Sequence, residues 1–209
     1  MMFSVGQTVG VPCEVQGGAF SNEYLVSIYA DESVLSGFAD ANDVRQNPSD
    51  PSSIPNYRTK IGHTHLKVRD LDRAIEFYAR FFDLKLVERV GDQYAFLSGG
   101  EFHHEIALQN VGPDAPQPHP AGTGLYHVAF EAPDRRSLAL AYQKLTEAGI
   151  RVAPVDHLIS WAIYFDDPDG NGLEIYWDTR DEPGGEKLWH GRNVPLPEEK
   201  LLAVLRETV

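Results

Sequence analysis

The sequence has a single cysteine, Cys13, among its 209 residues. One thiol cannot form a disulfide within the chain, so the fold does not depend on oxidation. Basic residues are also scarce, because 18 Lys and Arg stand against 31 Asp and Glu and give a formal charge of -13. This balance argues against nucleic acid or an anionic membrane surface as a partner and favours a protein that acts on small molecules.

Long apolar runs are absent as well. No stretch approaches the roughly 20 consecutive apolar residues that a membrane-spanning helix requires. The first ten residues, MMFSVGQTVG, lack the basic flank and apolar core of a secretory signal. We therefore expect a cytoplasmic protein that binds neither a membrane nor nucleic acid.

The first 58 residues are predicted to form a small β-unit and a linker. Short β-type runs, such as QTVGVPCEV and EYLVSIYA, are separated by glycine-containing or polar turns. The stretch RQNPSDPSSIPNYRTK is rich in Pro, Ser and Asn, which is typical of a linker. No histidine occurs in these 58 residues, so we expect the β-unit to take no part in the chemistry.

A repeated pattern follows in residues 59–111 and 123–181. In each segment a short strand precedes an amphipathic helix, and further strands come after it. The apolar helix faces are formed by Leu71, Ala74, Ile75, Tyr78 and Phe82, and by Leu138, Ala141, Tyr142 and Leu145. The repeat predicts an α+β fold of two βαβββ modules. Because each module alone would leave a sheet face uncovered, we expect the pair to form a cup-shaped mixed sheet.

Residues 182–209 are predicted to form a tail with a short amphipathic helix. In LPEEKLLAVLRE, a proline and two glutamates stand at the start of the helix. A fixed φ and negative charge are both favourable at that end of a helix.

Glu174 lies within LEIYW, an apolar strand that follows the turn FDDPDGNG in a predicted hairpin. A buried carboxylate is unfavourable unless it is paired. His63 and His127 stand at equivalent places in the first strands of the two modules. Two imidazoles and one carboxylate can bind one face of a metal and leave positions open, as in non-haem Fe(II) oxygenases. Taken singly, each residue could instead be a hydrogen-bonded core histidine or a solvent-facing glutamate.

From Ile61 to about Arg180 the sequence resembles the vicinal oxygen chelate superfamily, and within it the type I extradiol ring-cleavage dioxygenases. Their signature is a His, a spacer, an apolar residue and Tyr, followed by a carboxylate-Pro-x-Gly turn and a Glu. The matching positions are His157, Ile163, Tyr164, Asp167, Pro168, Gly170 and Glu174. A paired histidine before an apolar strand, FHHEIAL, is a second shared feature.

The resemblance implies an Fe(II)-dependent extradiol dioxygenase, which cleaves the ring of a small aromatic diol with O2. The implied site consists of the metal ligands His63, His127 and Glu174, the acid-base histidine His104, and the hydrogen-bonding residues His157 and Tyr164. One paired-module domain is present, as in the single-domain branch of the family. Analogy with the superfamily also leads us to expect a homo-oligomer.

Two alternatives remain open from the sequence. A glyoxalase-like lyase or isomerase would use Ni(II) or Zn(II) and usually a fourth ligand, a carboxylate in the last strand of the first module. Glu105 is the candidate there, but a regular strand that turns His104 into the cup turns Glu105 outwards. The second alternative is a metal-free drug-binding protein of the same fold, against which the full ligand set argues. The sequence does not identify the catechol.

Overall fold

The fold is taken from a computed structural model that describes residues 60–119 and 121–207. The β-unit and linker predicted for residues 1–58 lie outside the described residues. Within the described part of the chain, no helix is long and apolar enough to cross a membrane.

The first module has the predicted βαβββ order. Its elements are β1 (Thr64–Val68), α1 (Leu71–Phe82), β2 (Lys85–Val90), β3 (Tyr94–Ser98) and β4 (Ile106–Asn110). The strands form one mixed sheet in the order β1-β4-β3-β2. Strands β1 and β4 are parallel, whereas the other pairs are antiparallel.

The second module repeats this arrangement. Its elements are β5 (Val128–Glu131), α2 (Arg135–Glu147), β6 (Ala153–Asp156), β7 (Ser160–Asp166) and β8 (Gly172–Asp178). The sheet order is β5-β8-β7-β6, again with the first and last strands of the module adjacent and parallel. The two matching sheets confirm the internal repeat.

The tail adds a short strand and the predicted helix to the second module. Strand β9 (Val194–Pro195) pairs antiparallel with β6. Helix α3 (Glu198–Ala203) and a 3-10 turn (Val204–Arg206) follow, and they bury Leu201 and Val204. The strand was not predicted, because two residues carry no readable periodicity.

Both module helices begin at an aspartate. The Asp70 side chain accepts a hydrogen bond from the Arg73 amide, and the Asp134 side chain accepts one from the Ser137 amide. These bonds satisfy amides that a helix start leaves without partners. The predicted apolar faces are largely those observed, although Phe77 is buried in α1 and Ile75 is only partly buried.

The apolar faces of the two modules meet in one hydrophobic core. The Phe82 ring of α1 lies 4.2 Å from the ring of Phe130 and 6.0 Å from that of Phe165, both on the second sheet. The two modules therefore pack through α1, and their strands form two mixed sheets instead of one continuous cup-shaped sheet. The predicted modules are confirmed, but the described chain does not join them into one sheet.

The turn between β7 and β8 adds polar contacts between the modules. The Asp167 carboxylate accepts hydrogen bonds from the amides of Asp169 and Asn171 and from the Tyr78 hydroxyl of α1. The Asn171 side-chain amide donates to the Lys67 carbonyl of β1. The turn that carries the family signature is thus fixed to the first module as well as to its own strands.

Asp169 in the same turn is buried and contacts two arginines of the first module. Its Oδ1 lies 2.8 Å from Arg69 Nε and 2.6 Å from an Arg73 guanidinium nitrogen. Burial alone would raise the pKa of Asp169, but the hydrogen bonds from the two guanidinium groups outweigh it and hold the pKa below its ordinary value. The ionised carboxylate therefore stabilises the junction of the modules.

Asp169→Asn should lower the free energy of unfolding by about 1.5–3 kcal/mol at neutral pH, the usual range for a hydrogen bond to a charged group. The folded-state pKa is lower than the ~3.9 of an unfolded Asp, so the wild-type advantage is complete above that pH. The advantage should disappear as the pH falls through the folded-state pKa. Urea unfolding of both proteins between pH 7 and pH 2 measures it.

The exposed Asp114 provides the control, as Asp114→Asn. A loss in this control as large as that of Asp169→Asn would contradict the role of the Asp169 contacts. A difference between wild type and Asp169→Asn that stays constant down to pH 2 would contradict it too.

Candidate metal centre

Glu174 has the partner that its burial requires. Strand β8 places Glu174 opposite Ala129 of β5, and the residue is only 7% exposed. His127 directly precedes β5, and its Nε2 lies 2.9 Å from Glu174 Oε2. Two atoms bound at right angles to one metal, at about 2.1 Å each, would be roughly 3 Å apart. The pair therefore has the spacing of two ligands of one metal as well as that of a hydrogen bond.

A glycine at the start of β8 allows the segment before β5, which carries His127, to approach so closely. A Cβ atom at Gly172 would lie 2.2 Å from the Tyr126 carbonyl oxygen and 3.5 Å from His127 Cα. No other residue fits there without displacing the backbone that carries His127. In the sequence this glycine is only a turn residue, whereas in the structure it makes room for the candidate ligand.

Tyr164 and His157 extend the contacts of Glu174. Tyr164 lies opposite Glu174 across β7 and β8, and its hydroxyl is 2.9 Å from Glu174 Oε1. His157 Nε2 is 2.8 Å from the same hydroxyl. Burial, together with the Glu174 carboxylate, raises the pKa of Tyr164 far above its ordinary value, so the side chain remains a phenol with one proton to donate. The structure thus brings four of the six predicted site residues together.

His63 and His104 lie together in the first module. His63 directly precedes β1 as His127 precedes β5, so the predicted equivalence is observed, although both residues lie one position before their strands. The rings of His63 and His104 are 4.5 Å apart, and the ring of Phe96 is 4.9 Å from that of His104. Partial burial, together with the nearby His63 and His103, lowers the pKa of His104.

The Glu105 carboxylate forms hydrogen bonds within its own loop. The residue precedes β4, and its carboxylate accepts hydrogen bonds from the amides of Gly99, Glu101 and Phe102. Burial would raise the pKa of Glu105, but these backbone bonds outweigh it and lower the pKa. The carboxylate that a fourth metal ligand would require is thus bound to its own loop.

The described residues contain two half-sites. One, the His127–Glu174 half-site, comprises His127, Glu174, Tyr164 and His157; the other, the His63 half-site, comprises His63 and His104. Within residues 60–119 and 121–207, no three His, Cys, Asp or Glu side chains converge closely enough to hold a metal ion. The chain therefore does not bring His63 to the other two predicted ligands.

Sequence reasoning missed two tail residues that contact the His127–Glu174 half-site. Asn193 Oδ1 lies 2.5 Å from His157 Nδ1, and Trp189 Nε1 donates to the same oxygen at 3.0 Å. The Trp189 ring packs edge-on against the His157 ring. Both residues lie in an irregular segment without periodicity, so only the pairing of β9 with β6 shows that they return to the site.

Comparison with known proteins identifies the family of the chain. Residues 60–175, more than half of the chain, match the family described as the Glyoxalase/Bleomycin resistance protein/Dioxygenase superfamily. The chain belongs to this superfamily. It is 36% identical over 119 residues to the catechol-2,3-dioxygenase of Bacillus subtilis (strain 168), a match that covers 56% of this chain and 41% of that protein. The chain thus spans less than half the length of this relative.

Other members of the superfamily are similar over the same region. The metallothiol transferase FosB of Shouchella clausii is 31% identical over 122 residues, covering 56% of this chain and 78% of that protein. The crystal structure of a glyoxylase/bleomycin resistance protein/dioxygenase domain from Frankia sp. EAN1pec is 26% identical, with a TM-score of 0.51. That match covers 58% of this chain and 99% of the Frankia domain.

Gly172→Ala should destabilise the protein and weaken the binding of a divalent metal, because the new methyl group pushes the Tyr126–His127 backbone away from β8. Overpacking of this kind costs about 1–3 kcal/mol in the free energy of unfolding. Gly62→Ala, next to His63, is the matched control, since a Cβ there meets nothing within 4 Å. Urea unfolding and metal binding in the presence of a competing chelator measure both effects. Equal behaviour of the two variants would contradict the role of Gly172.

Proposed function

We propose that the chain is an Fe(II)-dependent extradiol dioxygenase that cleaves the ring of a catechol-type substrate with O2. The observation that carries the proposal is the buried His127–Glu174 pair, with Tyr164 and His157 behind it. This pair supplies two of the three ligands that such a site needs, and the two residues behind it supply hydrogen-bonding groups. Membership of the superfamily and the similarity to a catechol-2,3-dioxygenase support the same function.

The third ligand in this proposal is His63 of a second copy of the chain. His63 is exposed, as are Ile61 beside it and Leu125 and Tyr126 beside His127. Apolar residues next to both half-sites are suited to burial between two molecules. A two-fold axis would place the His63 half-site of each copy on the His127–Glu174 half-site of the other and complete two identical sites. The predicted cup then forms between copies, and the protein is a homo-oligomer.

The donor set fits Fe(II), because two imidazoles and one carboxylate on one face are the ligands of non-haem Fe(II) oxygenases. Fe(II), when bound, supplies open positions for the two diol oxygens and for O2 and carries electron density between them. The carboxylate of Glu174 is held in position by the Tyr164 hydroxyl. The His127 imidazole is held by the close approach that Gly172 permits.

The two half-sites would supply different catalytic groups. His104 lies beside His63, so the copy that supplies the ligand also supplies the acid-base group. His104 would accept a proton from the substrate hydroxyl and return it to the developing product. Tyr164 would donate a hydrogen bond to the substrate oxygen where negative charge develops, and His157 would orient that hydroxyl through its own contact with it. Both atoms of O2 enter the product, a ring-opened muconic semialdehyde or its analogue.

The glyoxalase-like alternative is less well supported. Its usual fourth ligand would be Glu105, whose carboxylate is occupied by three backbone amides. In the metal-free alternative the contact of His127 with the buried Glu174 would be a hydrogen bond alone, and the presence of the full predicted ligand set argues against that alternative. Metal analysis of the purified protein separates the three functions, since iron supports the dioxygenase, nickel or zinc the lyase, and no metal the drug-binding protein.

Each of the single variants His63→Ala, His127→Ala and Glu174→Ala should bind no iron, because each lacks one of the three ligands. A heterodimer of His63→Ala with Glu174→Ala, purified through two different tags, tests the assembly. If the site is shared between copies, one of the two sites in this heterodimer contains all three ligands, so half of the wild-type iron should return. If the site lies within one chain, each chain lacks a ligand and no iron returns.

Two outcomes contradict different parts of the proposal. Iron retained in all three single variants would contradict the ligand assignment. Wild-type iron binding without recovery in the heterodimer would contradict the shared site but leave the function intact. Iron binding should return only in the heterodimer of His63→Ala with Glu174→Ala. A heterodimer of His127→Ala with Glu174→Ala should bind no iron, because both substitutions lie in the same half-site.

The iron-loaded protein should convert catechol or 2,3-dihydroxybiphenyl into a yellow ring-cleavage product. His104→Phe should retain iron and substrate binding but lose about 10²- to 10⁴-fold in turnover, the usual contribution of general acid-base catalysis. Absorbance of the product and iron content, measured in parallel, check both statements. No cleavage of any compound in a broad catechol panel would contradict the function. Loss of iron in His104→Phe would make His104 a ligand.

A further inference from the structure

The tail returns to His157 through the pairing of β9 with β6. In this antiparallel register Val194 lies opposite Asp156, so Asn193 comes next to His157. Asn193 and His157 are both partly buried, and Asn193 Oδ1 is 2.5 Å from His157 Nδ1. This contact belongs to neither the ligand set nor the signature that the sequence resembles.

Trp189 determines which atom of the Asn193 amide faces the imidazole. The indole Nε1–H is a donor only, and it lies 3.0 Å from the amide oxygen and 2.8 Å from the Arg192 carbonyl oxygen. With the amide reversed, its NH2 group would face the indole N–H, and two donors would oppose each other. The oxygen of Asn193 must therefore be the atom that points at Trp189 and at His157.

An oxygen at this position requires a proton on His157 Nδ1, because an amide oxygen only accepts. A neutral imidazole carries one proton, so Nε2 is then an acceptor, and it lies 2.8 Å from the Tyr164 hydroxyl. We propose that Asn193, oriented by Trp189, is a positioning residue that holds His157 in the tautomer with its proton on Nδ1.

The tautomer determines the direction of hydrogen bonding up to Glu174. Tyr164 has one proton and two acceptors near it, His157 Nε2 and Glu174 Oε1. With Nδ1 protonated, Nε2 competes for the phenol proton, and Glu174 Oε1 keeps more of its charge for a metal. With Nε2 protonated, the imidazole donates to Tyr164, and the phenol proton is directed entirely at Glu174. Asn193 thus sets the polarity of a chain of contacts that ends at a candidate ligand.

The consequence for turnover rests on the proposed function, but the tautomer itself does not. Nitrogen-15 NMR of the metal-free, full-length protein distinguishes protonated from unprotonated ring nitrogens, and a His157→Gln variant assigns the His157 signals. The wild type, at a pH where the imidazole is neutral, should show the proton on Nδ1. Asn193→Ala should give a mixture of tautomers or the Nε2 form, and Trp189→Phe should shift the population in the same direction.

Two variants separate positioning from a general effect on the fold. Asn193→Asp keeps an acceptor at this position and should restore the Nδ1 form. Leu188→Ala removes an exposed neighbour that makes none of these contacts and should behave as the wild type. Wild-type protein with the proton on Nε2, or Asn193→Ala with the Nδ1 form fully retained, would overturn the inference whatever the protein catalyses.

If the proposed function also holds, Asn193→Ala should lower kcat by roughly 10- to 100-fold, as loss of a contact behind a metal site usually does. Iron content should fall less than in Glu174→Ala, and Asn193→Asp should recover most of kcat. A tautomer that changes as expected in a protein that cleaves no catechol would contradict the proposed function alone. An unchanged kcat in an Asn193→Ala protein whose tautomer has changed would contradict the catalytic consequence.

Discussion

The burial of one carboxylate, that of Glu174, is the constraint around which the second module is arranged. An ionised carboxylate removed from water needs partners, and each neighbouring strand supplies one. His127 directly precedes the parallel strand on one side, and Tyr164 lies in the antiparallel strand on the other. Gly172 makes the first approach possible. A strand that would otherwise be an ordinary apolar element thereby becomes the centre of a polar site.

Much of the fold could be predicted from the sequence because it depends on local patterns. Apolar residues recur with periods of 3.6 and 2 residues, and these periods predict the helix faces and the strands of the repeat, including the hairpin that contains Glu174. The structure contains these elements. The neighbourhood of Glu174, His127, Tyr164 and His157 could be predicted as well. That neighbourhood follows from the order of strands within a module, and the residues themselves were identified by resemblance to a known family.

The remaining features depend on contacts between segments far apart in the sequence. Packing of the modules through Phe82 is not visible in any single pattern, so a cup within one chain was the natural expectation for His63. The sequence predicts a regular strand at Glu105, whereas in the structure Glu105 precedes β4 and its carboxylate accepts hydrogen bonds from backbone amides of its own loop. The contact of Asn193 with His157 follows from a two-residue strand, which is too short to leave a signal in the sequence.

Strand β9 is a small element with a large effect, since it covers the edge of β6 and also carries the segment that reaches His157. An uncovered strand edge exposes unpaired backbone groups to other chains. A protease cut ahead of Val194 would uncover that edge and release the imidazole from Asn193 in the same event. Damage to the tail would thus couple loss of the contact between Asn193 and His157 to a tendency to aggregate.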